Sequence, residues 1–209
     1  MKHALIFLLS SLLLFSCTPA TQTSQTEVID VYATSAAQPW LRELFTCAND
    51  LSVVLNVNAD VPDIYLRVGE PDLLVSPAYQ IDEEEILVVT HRESPVQNLT
   101  LEEAQALFAQ GSASAQVWVY SSDADVQMVF DQLVMKGRSV TSSARVAVSP
   151  QNMSDVLNSE SNSVGILPRH WKAGTVRDVF SAGFVPVLAI TKEESPGAVT
   201  DLVSCLQNN

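Results

Sequence analysis

Residues 94–130, "SPVQNLTLEEAQALFAQGSASAQVWVYSSDADVQMVF", set two helical patterns around one short apolar run. Thr100 followed three positions later by Glu103 is a capping box, in which each side chain accepts the other's otherwise unpaired backbone N–H. Leu101, Ala104, Leu107 and Phe108 then recur at helical spacing, and Gly111 stands where such a helix stops. "QVWVYS" (116–121) has the length and β-branched content of a strand. Ser122 or Asp123 is positioned to cap a second helix, whose stripe is Val126, Val129, Phe130, Leu133 and Val134 and whose end falls near Gly137.

The same alternation extends outward in both directions. "VIDVY" (28–32) leads through a loop to Pro39, which suits a first helical turn, and to the stripe Leu41, Leu44, Phe45 and Ala48. "LSVVLNV" (51–57), "DIYLRV" (63–68), "DLLVS" (72–76) and "EILVVT" (85–90) read as further strands. Downstream, "RVAVS" (145–149), "VGILP" (164–168) and "VPVLAIT" (185–191) are strands, "PQNMSDVL" is a short helix, and Val199, Leu202, Val203 and Leu206 mark a last helix. Alternation of this kind predicts an α/β fold with mostly parallel sheets. No internal repeat or low-complexity run interrupts it.

The N-terminus reads as an export signal. Lys2 and His3 precede the apolar run "ALIFLLSSLLLF" (4–15), shorter than the roughly 20 residues of a spanning helix. It closes on "LFSC", and Leu14-Phe15-Ser16-Cys17 resembles a bacterial lipobox. That resemblance implies removal of residues 1–16, a lipid on Cys17, and anchorage in the cell envelope on the extracytoplasmic side; an ordinary signal peptide with an incidental Cys is the alternative. Residues 17–26, which include "TPATQTSQT", form a polar tether.

Composition limits the partners. The 209 residues are 47% hydrophobic and 17% charged, enough for a proper core, and carry a formal net charge of −13 that becomes more negative once Lys2 is removed. An acidic surface without Lys/Arg patches excludes nucleic acid and anionic lipid headgroups as natural partners. Cys47 and Cys205 remain after processing, and an even pair in an exported chain predicts a disulfide, with two separately buried thiols as the alternative. Neither lies in a metal-binding Cys-x-x-Cys spacing.

Parallel strands open their helices on one sheet edge, which gathers "YATSAAQP" (32–39) and "YSSDAD" (120–125) where ligands collect. Each loop sets hydroxyls beside unsatisfied backbone N–H groups, an arrangement that serves either a polar ligand or plain helix capping.

At this point the chain resembles a family. "ILVVTHRESPVQNLTLEEAQALFAQG" is similar to the segment of phosphate-type solute-binding proteins in which a strand crosses between lobes and is followed by an Asn-Leu-Thr helix start. "SDVLNSESNSVGILP" resembles their stretch before an Ile-Gly-Tyr-type strand, and "VYATSAAQPWLRELF" stands where they have the first ligand loop and helix. The resemblance implies a two-lobed type-2 periplasmic-binding-protein fold, with lobe 1 at residues 27–90 and 175–209 and lobe 2 at 91–174. It further implies a small-molecule ligand, a small oxyanion such as phosphate, held between the lobes and delivered to an ABC permease. Position by position, the implied ligand residues are Thr34 and Ser35, Ser76, Ser121, Ser122 and Asp123, and Asn152.

Phosphate-binding members carry a Ser-Gly-Thr element, often with an Arg nearby, where this chain has Ser121-Ser122-Asp123-Ala124-Asp125. A carboxylate there disfavours a fully ionised oxyanion and favours a protonated, neutral or cationic ligand. The chain is also short for the family, which leaves open a sensory or scaffold lipoprotein of the same fold that retains no ligand. Enzymatic readings find little support: there is no Gly-x-Ser-x-Gly, His-Glu-x-x-His or phosphate-loop motif, only His91 and His170 follow the signal, an exported hydrolase using Ser122 or Ser35 would need a positioned His, and no cofactor or metal site is expected. "DEEE" (82–85) reads as a solvated turn, and Trp40 as a core residue beside the first loop.

Overall fold

The computed structural model describes residues 27–194 and 197–208, so Cys17 and the tether lie outside the described residues. The elements are β1 (Val28–Ala33), α1 (Gln38–Leu51), β2 (Val54–Val57), β3 (Ile64–Val68), β4 (Ala78–Thr90), α2 (Leu101–Gln110), β5 (Gln116–Val119), α3 (Asp125–Phe130), β6 (Arg145–Val146), α4 (Pro150–Ser159), β7 (Ser163–Pro168), β8 (Arg177–Thr191) and α5 (Ala198–Gln207). One sheet runs in the order β2-β1-β3-β8-β4-β7-β5-β6. The fold class is the expected α/β. The outer pairs β1–β2, β1–β3, β5–β6 and β5–β7 are parallel, and antiparallel pairing enters only through β4 and β8.

Those two long strands make the sheet two-sided. Near one end β8 pairs with β3, from Thr191 to Val187; near the other β4 pairs with β7, from Ile86 to Thr90. Between these regions Glu83, Glu84 and Glu85 face Pro186, Val185 and Phe184, and neither strand has a further partner there among the described residues. The acidic run is therefore a two-stranded neck rather than a solvated turn. Strand alternation separates its side chains: Glu83 is exposed, while Glu84 is 1% exposed and meets His170. Glu85 Oε2 accepts from Arg169 Nε at 2.6 Å, and its Oε1 accepts from the Ser181 hydroxyl at 2.6 Å.

On the β1–β3 side, Ile29, Val31 and Ala33 alternate into the core with Ile64, Leu66 and Val68, alongside Trp40, Leu41, Leu44 and Ala48 of α1 and Leu202, Val203 and Leu206 of α5. Phe45 of the expected α1 stripe is 40% exposed. Cys47 and Cys205 form a disulfide joining α1 to α5, with Cα atoms 6.0 Å apart and a sequence separation of 158. Chain-entropy closure of so long a loop contributes about 5 kcal/mol as an upper figure.

On the other side, the Thr100–Glu103 box forms as expected: Thr100 Oγ1 accepts from Glu103 N at 3.3 Å and Glu103 Oε2 from Thr100 N at 2.8 Å. Phe108 of α2 packs on Phe130 of α3, with ring centroids 4.7 Å apart. Here α3 departs from expectation. Neither Ser122 nor Asp123 caps it; the N-cap is Ala124, without a side-chain bond, because a β-turn closed by Ala124 N on Ser121 O comes first. Beyond Phe130 the stripe continues through a π-helical turn, Asp131–Met135. Residues 72–76 form no strand. Lying between Pro71 and Pro77, they leave Leu73 and Val75 at 77% and 81% exposure.

Candidate functional site between the two halves of the sheet

β1 ends in a loop whose backbone is fixed to β3 by Thr34 N bonding Leu66 O at 3.0 Å. The Thr34 hydroxyl accepts from Ala37 N at 3.3 Å and donates to Asp125 Oδ2 at 2.6 Å. Asp125 begins α3, in the opposite half. The same Oδ2 accepts from Val68 N at 3.0 Å, at the end of β3, while Oδ1 accepts from Val126 N at 2.9 Å. One carboxylate, 5% exposed, therefore links a loop and a strand end of the first half to a helix of the second.

Packing closes around it. Gly69 has φ +73°, and a Cβ there would overlap Val129 Cγ2 of α3, so only glycine admits this approach. Gln132 Nε2 donates to Asp72 Oδ1 at 3.1 Å, and Trp171 Nε1 donates to Ala36 O at 2.9 Å. His170 lies over Trp40, ring centroids 4.6 Å apart, and its Nδ1 is 2.8 Å from Glu84 Oε2. Burial pushes the Glu84 carboxyl above its usual range, and His170 offsets this only in part. Trp40 is a core residue that donates from Nε1 to Asp82 Oδ2 at 2.9 Å.

Arg67 lies one residue before Val68. Strand alternation sends its side chain to the sheet face of Tyr65, whose ring stacks on Tyr32 at 5.8 Å. Arg67 is 7% exposed, and its Nε and Nη2 are buried without a hydrogen-bond partner. Burial raises the Tyr65 phenol above its ordinary range; Arg67 pulls it down, while Asp125 and Tyr32 push it further up. Tyr65 thus feels both the buried cation and the buried carboxylate. Tyr120, which donates to Ile166 O at 2.9 Å, is raised well above its ordinary value by burial and by Asp125.

The residues expected at the site are dispersed around this centre. Thr34 is in it. Ser35, in the same loop, is exposed. Ser76 lines a separate open groove of about 400 Å³ with Tyr32, Val61, Pro62, Tyr65 and Ile190. Ser121, Ser122 and Asp123 form an exposed turn before α3, in which the Ser121 hydroxyl and the residue's own N–H hold the Asp123 carboxyl below its usual range. Asn152 closes the start of α4, donating from N to Ser149 Oγ at 3.1 Å and accepting on Oδ1 from Val148 N at 3.2 Å. Asp125 and Arg67 are the two charged groups that motif reading overlooked. An arginine amid the apolar residues of "DIYLRV" was itself a signal, since a basic side chain on a buried strand needs an acceptor. Among the described residues no group of three His, Cys, Asp or Glu is arranged to hold a metal ion, and no helix is long and apolar enough to cross a membrane.

Comparison with family models and with curated proteins finds no match for this chain. Solved structures share its fold. A protein from Clostridium perfringens, described as a phosphate ABC transporter substrate-binding protein with bound phosphate, is 14% identical with a TM-score of 0.74, over 86% of this chain and 93% of that one. An ABC-type phosphate transport receptor from Vibrio cholerae is 13% identical with a TM-score of 0.67, over the same shares, 86% and 93%. The reduced regulatory domain of OxyR2 from Vibrio vulnificus is 7% identical with a TM-score of 0.66, over 88% and 96%. The architecture is therefore that of the periplasmic-binding-protein fold, which transport receptors and regulatory domains both use.

Proposed function

We propose that this chain is an extracytoplasmic solute-binding protein, tethered to the membrane through a lipid on Cys17, that captures a small oxyanion between the halves of its sheet and presents it to an ABC-type permease. The observation that carries the reading is Arg67, whose guanidinium is buried with Nε and Nη2 unpartnered. A buried cation without acceptors costs several kcal/mol, and an oxyanion bonded to its planar fork returns much of that cost. Phosphate bound in a structural neighbour is consistent with this ligand class. The Asp125 carboxylate beside Thr34 adds a condition: an anion seated there must bring a proton to share, or the carboxylate must withdraw.

A second reading, a sensory or scaffold lipoprotein without ligand, is favoured by the same Asp125, because it already takes the donors of Thr34 and Val68. Thermal melts in anion-free buffer, with phosphate, sulfate, molybdate or tungstate added, separate the two. Ligand at a hundredfold excess over Kd stabilises the folded form by about 2.7 kcal/mol, which for a chain of this size raises Tm by roughly 5–10 °C. Arg67→Met is expected to lose that shift while remaining folded. No shift with any anion rejects the solute-binding reading in favour of the second. Palmitate labelling of the parent but not of Cys17→Ala tests the tether separately.

A further inference from the structure

We propose that Asp125 is an internal latch, a carboxylate of the protein's own that holds the two halves closed when no ligand is bound. Both donors on Oδ2, the Thr34 hydroxyl and the Val68 N–H, belong to the opposite half and lie 91 and 57 positions away in sequence. They are unlike each other, one a side chain and one a backbone group, yet they converge on one oxygen at 2.6 and 3.0 Å. The Val68 N–H sits at the end of β3, where the next amide, Gly69 N, turns to Pro186 O at 2.7 Å. A convergent hydroxyl and amide are what an anion entering the cleft would use, and a residue of the facing helix already supplies that anion.

Closure does not rest on one bond. The fit of Val129 against Gly69 and the Gln132–Asp72 bond seat α3 beside the latch, and the Trp171–Ala36 bond holds the other side. With these contacts in place the proposed latch holds the halves closed, and ligand entry waits on opening. Apparent affinity for a solute is then weakened by the fraction of molecules that are open. This device is independent of which solute, if any, is carried.

Amide hydrogen exchange of the full chain, followed by NMR in buffer free of phosphate and sulfate, tests it at the Val68 N–H. In the parent this amide is expected to be protected. Asp125→Ala removes its acceptor directly, and Thr34→Val removes the other donor while leaving the Val68 bond in place. Faster Val68 exchange in Thr34→Val, by ~10-fold or more, with the β4–β7 ladder amides unchanged, supports the latch even if Asp125→Ala fails to fold. Rapid Val68 exchange in the parent, unchanged protection in Thr34→Val, or a loss that only keeps step with the ladder amides overturns it.

Discussion

Arg67 and Glu84 are buried ionisable side chains with opposite prospects. Arg67 has no partner for Nε or Nη2, so removing the charge should help the empty protein. Arg67→Met is expected to raise the unfolding free energy of the anion-free protein by about 1–3 kcal/mol in urea titration, the cost of leaving a buried donor unsatisfied, and that sign separates a ligand-binding cation from a structural one. Glu84 is paired with His170, yet burial still holds its carboxyl above the usual range. A group whose folded pKa is raised contributes stability below the unfolded carboxyl range and loses it as pH rises through the folded value. Glu84→Gln should therefore flatten the stability curve over that window and gain on the parent above it, as read from urea midpoints across a pH series. At this scale the sequence was partly legible. Thr34 stood out because it precedes a helix. Asp125 did not, because an acidic residue in a first helical turn is ordinary, and only the fold brings it within reach of Val68.

Helix boundaries with local signals were readable, as the Thr100–Glu103 box and Pro39 demonstrate. Elements decided by distant partners were not. "DLLVS" has strand composition but no neighbour to pair with, and "DEEE" lacks strand composition yet pairs with β8, which supplies a ladder that charge alone cannot predict. The approach of α3 to the end of β3 is the contact on which closure depends. Gly69→Ala adds a left-handed backbone penalty and an overlap with Val129, together about 2–4 kcal/mol. Adding Val129→Ala should recover the overlap part, so that chemical denaturation of the single and double variants shows a coupling of at least ~0.5 kcal/mol. Additive effects would place the strain elsewhere.

At the scale of the molecule, the alternation of apolar runs conveyed the α/β class because period 2 and period 3.6 are local properties of the chain. The apolar pattern alone did not show the neck between the halves, since a strand that changes partners along its length leaves no mark in its own alternation; the family resemblance did imply a strand crossing between lobes at "ILVVT", the part of β4 just beyond it. Arg67, with Nε and Nη2 buried and unpartnered, lies in β3 one residue before Val68, whose N–H bonds Asp125. The proposed function requires that an oxyanion reach Arg67. The Arg67 Nε–H resonance, assigned by its loss in Arg67→Met and followed by ¹⁵N NMR during titration with phosphate and then sulfate, reports on this directly. A saturable shift of that resonance, reached at the same anion concentration as the rise in Tm, is the predicted result; a resonance unmoved by either anion would contradict the account.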